Sequence, residues 1–178
     1  MSPSGDSEIV NEARVVALMQ TFATSFRSTA PEVFREFGRE KSQEFIDELK
    51  FKIASQLFGH VALSRQYYLG KIRAHQDPRI LIQTGEYLNG MVVEEIEGDT
   101  SGIAFRCGMR SGIHQSSGLS IKLLQRFLEF GTMRHGEVQM PARPHWRPQM
   151  AVYRAKSPDL GRELRSRLAS RVHQNMQG

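Results

Sequence analysis

The side chains able to do chemistry are spread along the chain without the spacings that chemistry needs. Six histidines stand at positions 60, 75, 114, 135, 145 and 173, and nowhere is there an H-E-x-x-H, a C-x-x-C or a glycine-rich phosphate loop. His135 and His145 flank a proline-rich stretch and are the pair best placed to share the metal ion of a hydrolase, yet no third ligand accompanies them. The acidic pairs Glu94–Glu95 and Asp47–Glu48 do not converge either. Neighbours on a strand point to opposite faces and neighbours on a helix diverge by about 100°, so both pairs read as solvated faces. Ser116–Ser117 has no base at a fixed spacing. Cys107 is the single cysteine, which rules out an intramolecular disulfide, and its alternation with Ile103, Phe105 and Met109 marks it as a small apolar strand residue. The expectation is a chain with no catalytic residue, no metal and no cofactor.

One stretch does stand out. Residues 129–148 read EFGTMRHGEVQMPARPHWRP, with prolines at 141, 144 and 148 and an arginine or aromatic beside them. Proline has no N–H and fixes φ, so this density sets a rigid path instead of a regular ladder. Two roles fit Met140, Pro141, Arg143, Pro144, Trp146 and Arg147. They form a subunit interface, where Trp and Arg are the types that dominate binding and a stiff segment loses little entropy. Alternatively they form an internal strut, with Trp146 packed on its own domain and the arginines holding local carboxylates.

The net charge of +5 conceals an asymmetry. Residues 1–100 hold 11 Lys or Arg against 15 Asp or Glu, whereas residues 101–178 hold 13 against 4, and 18 of the 24 basic residues are arginine. Arg162, Arg165, Arg167 and Arg171 lie along a stretch whose Leu160, Leu164, Leu168 and Val172 recur every four residues, predicting an amphipathic helix with a basic outer face. Such a face suits either an acidic protein or a phosphate backbone.

The elements that must position these residues follow from periodicity and punctuation. Apolar spacing predicts a first helix over 8–28, a stop and restart at Thr29-Ala30-Pro31-Glu32, a piece weakened at Gly38, and an end at Gly59. Shorter helices are expected over 63–71, with Ser64 as N-cap, after Thr84, and over 120–130, ended by Gly131. Residues 91–97 and 103–110 read as a β-hairpin, and 111–118 as a mobile glycine-serine loop. One helix is expected to open at Pro148 and another at Ser157–Pro158. The fold class is therefore α+β, a small antiparallel sheet packed against helices with helical extensions at both ends. Its organisation is an N-terminal arm over 1–60, a core over 61–155 and a basic helix over 156–178. With 39% apolar and 24% charged residues the composition is that of a soluble globular protein. No apolar run is long enough for a membrane span, and the first residues lack the pattern of a targeting segment.

Two segments together resemble a known group. ILIQTGEYLNGM followed by a hairpin, then EFGT and MPARPHWRP, is similar to the tail-completion and head–tail joining (neck) proteins of tailed bacteriophages. Leu81, Thr84, Gly85 and Leu88 match the first motif. Glu129, Phe130, Gly131, Thr132, Met140, Pro141, Ala142, Arg143, Pro144, Arg147 and Pro148 match the second. LSRQYYLGK resembles the stretch that precedes them, so the likeness covers residues 61–155. His145–Trp146 departs from the Phe-apolar pair usual there. The resemblance implies a non-enzymatic virion protein, made in the host cytoplasm and placed in the neck or tail. It would assemble as a homo-oligomeric ring, usually a hexamer, between the head–tail adaptor or portal-side neck proteins and the tail terminator or tail tube. The ring would line a conduit through which DNA passes without being read. The alternative is a nucleic-acid-binding module that uses the arginine-rich C-terminal half.

Overall fold

The computed structural model describes residues 5–79, 81, 85–97, 103–115, 117–135 and 137–177. The order of elements is α1 (Gly5–Ala54), α2 (Arg65–Arg73), α3 (Glu86–Asn89), β1 (Met91–Glu97), β2 (Ile103–Met109), α4 (Ile121–Phe130), β3 (Thr132–Arg134), β4 (Glu137–Met140) and α5 (Trp146–Gln177). The class is α+β, with two small antiparallel sheets and long helices near both ends. The chain divides into two compact units, Met1–Gly38 with Ser157–Gly178, and Arg39–Lys156.

In the larger unit, Phe45, Ile46, Leu49 and Ile53 form one buried stripe of α1. They meet Met91 and Met109 of the hairpin, Ile121 of α4 and Trp146 of α5. The 1–60 arm of the sequence reading thus gives its last third to this core. β1 and β2 pair in strict register from Met91↔Met109 to Glu97↔Ile103. One hairpin face therefore carries Val93, Glu95, Phe105 and Cys107, and it lies on α1. Cys107 Sγ donates to the Ser42 carbonyl and Arg39 bonds Glu95 at 2.7 Å. Burial pushes the Cys107 thiol up, against the Ser42 contact, which fits a packed side chain and not a nucleophile. The other face carries Glu94, Ile96, Ala104 and Arg106, all exposed.

In the smaller unit, residues 29–37 of α1 run antiparallel to residues 167–175 of α5. Asn175 Nδ2 donates to Thr29 Oγ1 at 2.8 Å, and the Arg167 guanidinium stacks over the Phe37 ring at 5.2 Å. Thr29, Ala30, Val33 and Val172 are buried there.

Several expectations are corrected. α1 is one helix straight through Pro31 and Gly38, and it ends at Ala54 rather than Gly59. α5 is likewise one helix through Pro158, so no new helix starts at Ser157. A proline inside a helix forfeits one hydrogen bond, but burial of the residues beside Pro31 favours continuity, since packing contributes more to helix stability in proteins than propensity does. A second hairpin pairs β3 with β4, in the stretch where a rigid path instead of a regular ladder was expected. The 111–118 loop is closed, with the Ile113↔Ser120 bridge across it and His114 buried. Ser64 caps α2 as predicted and Ser120 caps α4, each accepting from the backbone N–H three residues on. Of the ILIQTG motif, Ile80, Ile82, Gln83 and Thr84 lie outside the described residues, as does Ser116.

Candidate functional site at the proline segment

The proline segment is organised around one carboxylate. Glu129, in the last turn of α4, is 4% exposed and sits at the N-terminus of α5. Its Oε2 accepts the backbone N–H groups of His145 at 3.0 Å and Trp146 at 3.2 Å, while Oε1 accepts the N–H and the Nε–H of Arg147, both at 3.1 Å. The first N–H groups of a helix have no partner within it, and the helix dipole favours an anion there. Glu129 supplies that anion from sixteen residues upstream. Burial alone would raise its pKa, but the His145 and Arg147 N–H groups, the His145 ring and the Trp146 N–H together hold it below the usual carboxylate range.

Gly131 makes the approach possible. Its φ is +74°, and a Cβ there would lie 2.7 Å from the Met140 carbonyl oxygen and 2.9 Å from the Ala142 nitrogen. The prolines do the rest. Pro144 disfavours helix at Arg143, whose N–H instead reaches the Leu128 carbonyl at 2.7 Å, and Pro148 falls in the first turn of α5, where no N–H is needed. EFGT and MPARPHWRP are thus two halves of one helix-starting device.

His145 is fully buried beneath it. Its Nδ1 lies 2.8 Å from the Arg143 carbonyl, which can only accept, so Nδ1 carries the proton and Nε2 accepts the Tyr87 hydroxyl at 2.7 Å. Burial holds the ring neutral, below the ordinary histidine value, against the opposing pull of the Arg143 carbonyl and Glu129. Burial also pushes the Tyr87 phenol well up. His135, by contrast, is exposed, and among the described residues no group of three or more His, Cys, Asp or Glu is placed to hold a metal ion.

The six proline-segment residues therefore separate. Trp146 is 6% exposed, with its ring 6.0 Å from Phe45, and so stands inside its own unit instead of on a surface. Arg147 is fixed by Glu129 and lies 4.7 Å over the Phe130 ring. Pro144 is half-buried. Met140, Pro141 and Arg143 instead line an open cavity of about 670 Å3. The Arg143 Nε–H is buried without a hydrogen-bond acceptor, and burial draws its guanidinium below the usual value with only the Tyr67 phenol offsetting it. Across the cavity Lys71 donates to the carbonyls of Asp77 and Arg79 at 2.8 and 2.7 Å. Burial, then the nearby Arg143, lower Lys71, against the pull of Asp77.

Of the basic residues on α5, Arg162 pairs with Asp159, Arg167 with Glu163 and Arg171 with Glu36, while Arg165 is exposed. The basic face is thus largely compensated within the smaller unit. A larger unpartnered feature lies on α1, where Val15, Leu18, Met19, Phe22 and Phe26 form an apolar stripe that is 38–68% exposed.

No protein-family model matches the chain, and neither a curated protein nor a solved structure shows significant similarity to it.

Sequence reasoning missed three residues that organise this region. Glu129 stands in the EFGT motif, and a glutamate just before a helix-stopping glycine, upstream of a proline-started helix, is a signal for a distant cap. Lys71 and Tyr87 carry no such signal, because only the fold brings them beside residues 139–145.

Proposed function

We propose that the chain is a non-enzymatic assembly protein of the tailed-bacteriophage neck or tail, working as a ring between the portal-adaptor complex and the tail tube. The observation that carries an assembly role is the stripe on α1. Burying one Val, Leu, Met or Phe side chain contributes roughly 1.5–3 kcal/mol, so five of them left in water on one helix face are a strong incentive to bind. The neck assignment comes from the two sequence motifs, of which the second forms the helix-starting device built on Glu129 and Gly131. A closed ring follows if each subunit offers one surface to its neighbour, receives a different one, and the rotation between copies closes. Six copies is the number the resemblance implies, with the adaptor or portal-side proteins above and the tail terminator or tube below.

The nucleic-acid reading has less support, since three of the four arginines between 162 and 171 already meet carboxylates. Among the described residues no helix is long and apolar enough to cross a membrane.

The test is the mass of the purified protein across a concentration series, by native mass spectrometry and light scattering, with negative-stain imaging of any assembled species. A closed oligomer of defined size is expected, enlarged when the upstream or downstream neck proteins are added. A monomer at every concentration, alone and with those partners, would overturn the proposal. Duplex-DNA binding that falls steeply with salt would favour the nucleic-acid reading instead.

A further inference from the structure

The cavity beside Arg143 has the chemistry of a receptor. At about 670 Å3 it falls in the size range of sites that hold an extended peptide's side chains or a small ligand. Two cations, Arg143 and Lys71, face an apolar wall made by Leu124 and Leu128, and no Asp or Glu is among its lining residues. Arg143 holds a buried Nε–H with no acceptor. A buried donor left unmet costs about 1–3 kcal/mol, more for a charged group, and a carboxylate entering the cavity would pair with the charge of the same guanidinium.

The same unit displays a segment of the complementary kind. β1 ends in Glu94-Glu95-Ile96-Glu97, three acids in four residues. Glu94 and Ile96 lie on the hairpin face turned away from α1, and both are exposed. They present an acidic and an apolar side chain two positions apart, as the cavity presents a cationic and an apolar wall.

We infer that the Arg143 cavity receives the outer end of β1, Glu94–Glu97, from a second copy of the chain, with Glu94 meeting Arg143 and Ile96 meeting Leu124 and Leu128. The contact is heterologous, since the surface given differs from the surface received, and repetition of such a contact closes a ring when the rotation between copies returns to its start. The inference rests on the ring reading above and names the contact that would close the ring.

The experiment uses two full-length variants, Arg143→Glu and Glu94→Lys. Alone, each places like charges together at every contact, and each is expected to fall to monomer mass while keeping the wild-type circular dichroism and melting profile. Mixed at equal amounts, an alternating ring sets Glu94 against Arg143 at one contact and the introduced lysine against the introduced glutamate at the next. The assembled mass should return. A labelled VVEEIE peptide should also bind the wild-type protein and bind R143E at least about tenfold more weakly. The lysine variant changes only the far end of the hairpin, so the test stands even if R143E fails to fold. Either folded variant assembling alone like the wild type would overturn the inference and leave the ring reading intact, as would a mixture of two monomers that stays monomeric. A monomeric wild type would instead defeat the ring reading, and the peptide titration would then decide the cavity by itself.

Discussion

At the scale of single residues, this chain invests in buried polar groups that position a helix. Glu129→Gln keeps the shape but removes the charge that the His145, Trp146 and Arg147 N–H groups share, and one amide oxygen cannot serve both sides of that set. Hydrogen bonds to a charged group are worth about 1.5–3 kcal/mol, so a loss of that order in urea-unfolding stability is expected, and an unchanged midpoint would deny the cap its importance. Trp146→Ala removes a core side chain beside Phe45 and should cost about 3–5 kcal/mol in the same assay. Acid adds a signature of its own. Burial depresses the folded-state pKa of both His145 and His60 below 6.5, so the unfolded chain takes up protons there that the folded chain refuses. Stability is full above pH 6.5 and falls as the pH drops through and below that value. Glu129, also depressed, adds a second loss as the pH falls below 4.5, where the unfolded carboxyl protonates first. Unfolding midpoints measured from pH 7.5 to 4 should decline in these two steps, and a flat profile down to pH 5 would contradict a neutral His145 in the core.

At the scale of elements, the two prolines inside α1 and α5 mark where local and tertiary preferences disagree. Pro31 is exposed, so Pro31→Ala restores a helix hydrogen bond without disturbing the buried neighbours Thr29, Ala30 and Val33. A stabilisation of roughly 1–3 kcal/mol is expected in thermal or urea unfolding, whereas destabilisation would mean the helix is shaped around the proline. These prolines also show what was legible in the sequence. Hairpin β1–β2, the helices capped by Ser64 and Ser120, and the stop at Gly131 could be read locally, because each depends on residues within a turn or two. The continuity of α1 and α5 could not, because burial of residues 29–33 against the far end of the chain outweighs the proline signal. Hairpin β3–β4 was hidden because TMR and EVQM are too short to show a period. The proline segment was legible as a rigid device, but its hub was not. Nothing local ties Glu129 to an N–H sixteen residues away, and nothing in the spacing of Lys71, Tyr87 and Arg143 says that they share a cavity wall.

At the scale of the whole molecule, each half of the charge asymmetry meets a different fate, and the two units need not stand or fall together. Residues 39–156 contain a complete buried cluster drawn from α1, the hairpin, α4 and α5, together with the Glu129 cap and the Arg143 cavity. Residues before 39 and after 156 contribute no side chain to that cluster. A chain trimmed to residues 39–156 should therefore fold with its own cooperative urea transition, and its aromatic circular dichroism should retain the Phe45–Trp146 signature. The same trimming removes Val15, Leu18, Met19, Phe22 and Phe26. If that stripe supplies part of the contact between copies, the trimmed protein should assemble only at higher concentration than the full chain or remain monomeric. Failure of residues 39–156 to fold would show that α1 and α5 support the larger unit from beyond its own core. Undiminished assembly of a folded 39–156 fragment would free the stripe for a different partner and leave the Arg143 cavity as the contact that closes the ring.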